Sequence, residues 1–313
     1  MLSSSTPASW YQQILRRHGA IIPVCDMEIR EKILSVSELI SIPRTAIELM
    51  ANGDSKTAAQ KLIHLVESDP VLTAKLLATA NSAFYGLRWE VASIQQAVLT
   101  LGVDEVNRIV MAYQLKQQVF TLDSKQKEFL SRVWKHSVVT AAVSRLIKQY
   151  IQYHSTGEEF TGGILHDFGK ILIAHHFPNE LDEIRSVIAQ TSMDDIAAER
   201  IVLGIDHAEI GGILALKWEV PMSITDIMSR HHTVEESMVD PLLVSIVRFA
   251  DLLTEYWGHG IGERTVPVFL DDEPCWKVLQ KNYPDLAGMH AMDLEKPLFS
   301  VYESSREFVG MFL

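Results

Sequence analysis

The sequence predicts an all-α fold, a multi-helical chain, on three observations. Between positions 28 and 251 apolar residues recur at three-to-four spacing, the period of a helix with one buried face. The periodic segments open on Asp, Ser or Pro and stop near Gly or Asn, residues that suit helix ends. No stretch of useful length alternates with the two-residue period of a strand.

Residues 1 to about 25 begin Ser-rich and carry a short helical hint over 8–17. The helical pattern starts at Glu28 and breaks at Ile42-Pro43. A short helix then passes Ile47 and Met50 to the Asn52-Gly53 stop. Ser55 can cap a helix with Leu62, Ile63 and Val66 on one face. Asp69-Pro70 opens the next, because Asp caps and Pro is tolerated in a first turn; Leu72, Leu76, Leu77 and Ala80 follow, and Asn81-Ser82 ends it. Phe84-Tyr85-Gly86 turns the chain. Ser93 opens a helix through Ile94, Val98 and Leu101 that Gly102 closes, and a longer one carries Val106, Ile109, Val110, Tyr113 and Leu115.

Residues 121–130 are polar and read as a connector. A long amphipathic helix follows, with Trp134, Val138, Val139, Ala142, Val143, Leu146, Ile147 and Tyr150 on its stripe and His136 at its flank. Residues 154–159 form a loop, and helix resumes over 162–174 as one segment. Further helices run from Pro178 through Leu181, Ile184, Val187 and Ile188, and from 193 to about 203. Asp206 with Glu209 makes a capping box, with His207 as the first helical residue. Pro221 opens a helix whose last turn holds His231 and His232. Asp240-Pro241 opens another, in which Asp251 shares the inward face of Val244 and Val247. Beyond 261 the pattern weakens, with helices expected over 276–282 and 301–312.

The 313 residues are 47% hydrophobic and 22% charged, ordinary for a globular protein of one or two domains. A net charge of −12 argues against a broad nucleic-acid surface, which needs clustered Lys and Arg. It leaves room for a small anionic ligand, since a local metal or lysine can offset the global sign. Cys25 and Cys275 make no metal or disulfide pattern, so the cytoplasm is the expected compartment. The N-terminus lacks the apolar core of a signal peptide, and no apolar run approaches the roughly 20 residues a membrane span needs.

Polar residues on or beside inward faces stand out: His136, His166, Asp167, His207, His231, His232 and Asp251. Imidazole and carboxylate without thiolate suit Fe, Mn, Ni or Zn, one or two divalent ions. Neighbouring helical side chains diverge by about 100°, so Asp167 could bridge two ions while His166 binds one. Two ions about 3.5–4 Å apart would activate water for displacement at phosphorus. Each residue also has a plainer reading: His231-His232 as a helix-end pair, His207 as a helix-start residue, Asp251 as the surface partner of Arg248. His18, His64, His154, His175, His176, His259 and His290 take that plainer reading.

His136, His166-Asp167 within Leu-His-Asp-Phe-Gly-Lys, His207, His231-His232 and Asp251 resemble the ordered motif of the HD superfamily of metal-dependent phosphohydrolases. Upstream, Ser68-Asp69-Pro70-Val71-Leu72, then Ala80-Asn81-Ser82-Ala83-Phe84, and the run from Ile94 to Leu101-Gly102 resemble the HDOD domain, an HD-related output domain of bacterial signalling proteins. The resemblance covers about 28–260 and implies an N-terminal helical half packed on an HD-like half. It implies that His136, His166, Asp167 and Asp251 hold one metal and that His207, His231 and His232 hold a second, with Asp167 shared. Lys170 matches a lysine placed to meet substrate phosphate, which makes Asp167 and Lys170 the candidate catalytic residues. Thr233-Val234-Glu235-Glu236 stands where HD-GYP proteins carry Gly-Tyr-Pro, which puts cyclic di-GMP in doubt as substrate. Arg132 stands where some of those enzymes place a glutamate ligand, against a third metal.

The expected division is an extension over 1–27, an N-terminal helical half over 28–120, an HD-like metal-binding half over 121–260 and a C-terminal helical extension over 261–313. Three functions follow. The favoured one is a signalling or regulatory HDOD protein with a retained metal centre, its partner another signalling protein or a small phosphate-containing ligand. The others are a metal-dependent phosphohydrolase acting on a nucleotide or cyclic dinucleotide, and a metal-free helical interaction module.

Overall fold

The computed structural model describes residues 56–82, 85–120, 126–262, 269–304 and 306–313, together with Ile33 and Ser35. The expectations for 1–32, the break at Ile42-Pro43, the helix through Ile47 and Met50, and the cap at Ser55 lie outside those residues. Among the described residues the fold is all-α, with no strand and no helix long and apolar enough to cross a membrane.

Local sequence sets several helix ends. Helix α1 (Lys56–Glu67) leads to α2 (Pro70–Ala80), where the Asp69 carboxylate accepts from the Val71 and Leu72 amides. Ser93 caps α3 (Ile94–Leu101) through the Gln96 amide, and Gly102 ends it at φ 86°. Helix α4 (Val103–Phe120) completes the N-terminal half. Helix α5 (Lys127–Tyr150) starts earlier than the polar connector suggested, because Phe129 and Leu130 are buried and draw the segment into the core. Helices α6 (Glu158–Leu165) and α7 (Phe168–His176) replace the single helix expected over 162–174. Then come α8 (Pro178–Thr191), α9 (Asp195–Leu203), α10 (His207–Lys217) and α11 (Met222–Arg230). Helix α9 begins two residues later than expected because the Asp194 side chain caps it at the Ala197 amide. Helix α11 ends at Arg230, which leaves His231 and His232 just past its last turn. Helix α12 (Pro241–Thr254) follows the Asp240 cap, and α13 (Pro274–Asn282), α14 (Ala291–Ser304) and α15 (Arg306–Phe312) form the C-terminal part. The last two stand where one helix over 301–312 was expected.

Helix α5 is the axis. It packs against α4, α6, α7, α12, α14 and α15, so the N-terminal half, the centre and the C-terminus all meet it. Trp134, 2% exposed, donates from its indole nitrogen to the Phe312 carbonyl at 2.8 Å and fastens the chain's end to this axis.

One buried charge joins the first half to that axis. Glu105 on α4 accepts from Arg108 and from Arg145 of α5, each at 2.6 Å, and from the Tyr85 hydroxyl. Burial would raise its pKa, but Arg145 and Arg108 outweigh burial and hold the carboxyl below its ordinary value of 4.5. A depressed carboxyl stabilises the fold above its unfolded value, and that contribution is lost as pH falls through the folded one. Glu105→Gln is expected to cost about 2 kcal/mol at pH 7, below the figure for a sealed pair because both arginines keep some solvent contact. In urea titrations the gap between variant and parent should narrow below pH 4.5.

Candidate metal centre

The His166-Asp167 pair sits at a break between helices. His166 keeps helical angles (φ −51°, ψ −42°), while Asp167 moves to φ −96°, ψ 14°, the sparsely populated bridge between regions. Tertiary contact accounts for the break. A Cβ on Gly163 would lie 2.5 Å from Ala141 Cα, and one on Gly169 would lie 2.0 Å from the His207 carbonyl oxygen. Helix α6 is thus in backbone contact with α5, and α7 with the start of α10. A straight helix could not satisfy both.

The other side chains arrive on separate elements: His136 from α5, His207 from the first position of α10, His231-His232 from the end of α11, and Asp251 from α12. All seven expected residues come together around Asp167. His207 Nε2 is 3.1 Å and His231 Nε2 3.7 Å from Asp167 Oδ1. His166 Nε2 is 3.5 Å and His136 Nε2 3.7 Å from Oδ2. Asp251 Oδ1 lies 3.0 Å from His136 Nε2 and 3.8 Å from His166 Nε2. His232 Nε2 meets His207 Nε2 at 3.0 Å. Three sets emerge whose ligand atoms lie within 4.8 Å of one another: Asp167, His207, His231 and His232; His136, His166 and Asp167; and Asp195, Glu199 and His207, the last formed behind the His207 ring.

The opposite ring nitrogens are held from behind. His166 Nδ1 donates to the Gly163 carbonyl at 2.9 Å, His231 Nδ1 to Ile227 at 3.1 Å and His136 Nδ1 to His259 at 3.1 Å. Glu199 Oε2 accepts from both Nδ1 and the backbone amide of His207, each at 2.7 Å. This support fixes the tautomers of His136, His166 and His231 so that an Nε2 lone pair faces inward, as a metal ligand requires, while Glu199 orients the His207 ring, whose Nε2 proton a metal would displace.

Burial and charge agree with that arrangement. His136, His166, Asp167, His207 and His231 are at most 1% exposed. Burial pushes His166 down to about 3 and also lowers His231 and His232, so these rings are neutral at pH 7. Burial would lower His207 too, but Glu199 and Asp167 reverse the shift and push it up to about 10. Burial would raise Asp167, yet Lys170 and the imidazoles hold it well below the usual carboxylate range. Lys170 is engaged twice, 3.0 Å from Asp167 and 2.8 Å from Asp195, so its ammonium balances charge inside the cluster.

Two buried nitrogens aimed at this volume, His166 Nε2 and His231 Nε2, make no hydrogen bond, and Asp167 Oδ1 has only the His207 ring beside it at 3.1 Å. Buried polar atoms left this way are costly, and a divalent cation would satisfy all three. A donor set of nitrogen and oxygen without sulfur fits Fe, Mn, Ni or Zn.

Sequence reasoning missed Asp195, Glu199 and the His259 carbonyl. Asp195 and Glu199 are one helical turn apart on α9, a spacing that marks a shared face. The carbonyl leaves no trace in sequence. Arg248 does pair with Asp251, at 2.6 Å, but inside the protein instead of on its surface. Of the histidines given a plainer reading, His64, His154 and His290 are exposed and His175 meets the Val119 carbonyl; His18 lies outside the described residues.

Glu199→Ala should strip His207 of its support and lower metal affinity about 10–100-fold in a chelator-competition titration. Glu199→Gln, which keeps an acceptor oxygen, should stay closer to the parent protein.

The family model of the HDOD domain matches residues 39–234, which include every residue of the cluster except Asp251. An uncharacterized protein of Treponema pallidum (strain Nichols) is 19% identical over 229 residues, 71% of this chain and 43% of that protein. The chain therefore spans less than half the length of that curated relative. An HDOD domain protein of unknown function from Geobacter sulfurreducens superposes with a TM-score of 0.70 at 23% identity, covering 97% of this chain and 96% of the other. A candidate signal transduction protein from Marinobacter aquaeolei VT8 gives 0.69 at 20% identity, covering 98% and 65%. A candidate phosphohydrolase from Shewanella amazonensis SB2B gives 0.63 at 24% identity, covering 90% and 98%. At these identities the superpositions speak for the helical fold, and the match over most of the sequence speaks for kinship: the chain belongs to the HDOD domain family.

Proposed function

We propose that this chain is a regulatory HDOD protein of bacterial signalling that has kept an HD-type two-metal centre and works in the cytoplasm. His136, His166, Asp167 and Asp251 would hold one ion; His207, His231 and His232, with Asp167 shared, would hold the other. The observation that carries this reading is the pair of buried imidazole nitrogens without a hydrogen bond, His166 Nε2 and His231 Nε2, both aimed at the Asp167 carboxylate. A relic of a lost site would have filled the volume they face or turned those atoms elsewhere, so the metal-free module fits less well.

When bound, such ions act as Lewis acids and bring the pKa of water down towards 7. The chain's own groups favour holding over turnover. Lys170 is spent on Asp167 and Asp195, so it is not held open for a substrate phosphate. Arg248 pins Asp251 Oδ2 and leaves Oδ1 facing His136. His232 is the one histidine of the set with a partly exposed side chain, and a small phosphate-containing ligand would approach there.

That opening supports the second reading, a phosphohydrolase acting on a nucleotide or cyclic dinucleotide. The name of the Shewanella amazonensis protein points the same way for that protein.

Elemental analysis of protein purified without a chelating tag should find one to two Fe, Mn, Ni or Zn per chain. His166→Ala with Asp167→Ala should lose them, and absence of metal from the parent protein would refute the centre. Against a generic phosphodiester and a nucleotide panel the metal-loaded protein should show weak turnover or none; robust turnover abolished by the same double change would favour the enzyme.

A further inference from the structure

The two sides of the centre are supported unequally. Behind His207 stands a carboxylate from the preceding helix α9, Glu199. Behind His136 stands a single backbone carbonyl, that of His259. Helix α12, which carries Asp251, ends at Thr254 and continues into a turn, Glu255–His259, kinked at Gly258, which adopts φ 80°. That turn directs the His259 carbonyl at His136.

The turn is held from the C-terminal helix α14. The Tyr302 hydroxyl lies 2.9 Å from His259 Nε2, and Trp257 donates its indole N–H to Glu295 at 2.7 Å. Trp257 stacks on Tyr302 with centroids 5.0 Å apart at 21°, and meets the Phe299 ring at 5.1 Å. Tyr302 is 2% exposed, and α14 itself packs on α5, the helix of His136. The described contacts therefore run from Tyr302 through the side chain and then the carbonyl of His259 to His136 Nδ1, and so to the inward Nε2.

We infer that helix α14 sets the affinity of one of the two metal positions, the one formed by His136, His166, Asp167 and Asp251, with Tyr302 as its positioning residue. This rests on the two-metal reading of the centre and adds a route by which it is regulated. A partner that displaced α14 would release the Glu255–His259 turn, free the His136 ring to rotate, and weaken that position while the His207 position kept its own carboxylate support. Coupling of this kind is reciprocal, so filling the position should also tighten the turn and α14.

Tyr302→Phe is the informative change, because it removes the hydroxyl and keeps the ring on Trp257. Full-length protein is stripped with chelator, refilled with Mn²⁺ or Zn²⁺, and followed by elemental analysis, competition titration and amide hydrogen exchange. The parent protein should take two ions. Tyr302→Phe should bind one of them about tenfold more weakly and the other unchanged, whereas Glu199→Ala weakens the opposite one. Metal should raise exchange protection over 255–260 and 291–304 in the parent and much less in the variant. The melting temperature of metal-free Tyr302→Phe should stay within about 3 °C of the parent, the scale of one hydrogen bond. Two ions bound equally well by both proteins, with equal protection, would overturn the role of α14 and leave the centre standing. Fewer than two ions in the refilled parent protein would overturn the two-metal reading and this inference with it.

Discussion

Everything in the centre answers to one carboxylate that water does not reach. Asp167 is 1% exposed, and an isolated charge at such depth would cost several kcal/mol. The fold meets that cost with Lys170 one turn later and with the His207 ring at 3.1 Å, while His136, His166 and His231 aim their Nε2 atoms at the same carboxylate from within 3.7 Å. Those imidazoles come from α5, the α6–α7 junction, α10 and the end of α11, so a local electrostatic demand binds distant segments together. Removing the carboxylate would leave a knot of buried nitrogens with nothing to face.

Close backbone approach makes the convergence possible. Gly163 against Ala141 and Gly169 against His207 bring two pairs of helices, α6 with α5 and α7 with α10, nearer than side chains would allow. Gly162 lies so close to Ile227 that an added Cβ would clash with it, and Gly212 stands likewise against Ser229. The paired glycines are spacers of zero thickness around the ligand-bearing helices.

Much of this was legible in the sequence because helix caps are local. Asp69, Ser93, Asp206 and Asp240 each bond amides within three residues, and the capping box at Asp206 and Glu209 is read directly from spacing. The seven site residues were legible as an ordered pattern of residue types. The break at His166-Asp167 was not, since the apolar period runs on through it and contact with α5 and α10 imposes it. Asp195 and Glu199 could have been found from their one-turn spacing, but nothing in the sequence tells which partners that face will meet. The His259 carbonyl was beyond reach, because every residue has one and only the turn at Gly258 decides where it points.

The partly exposed edge of His232 has a kinetic meaning. A small ion travelling to or from Asp167 by that edge passes the imidazole or waits for the end of α11 to fray. Traffic at such a gate is timed by local breathing of the helix more than by the strength of the grip inside. A chelator in large excess would then strip the centre no faster than the gate opens, and the rate would level off as its concentration rose.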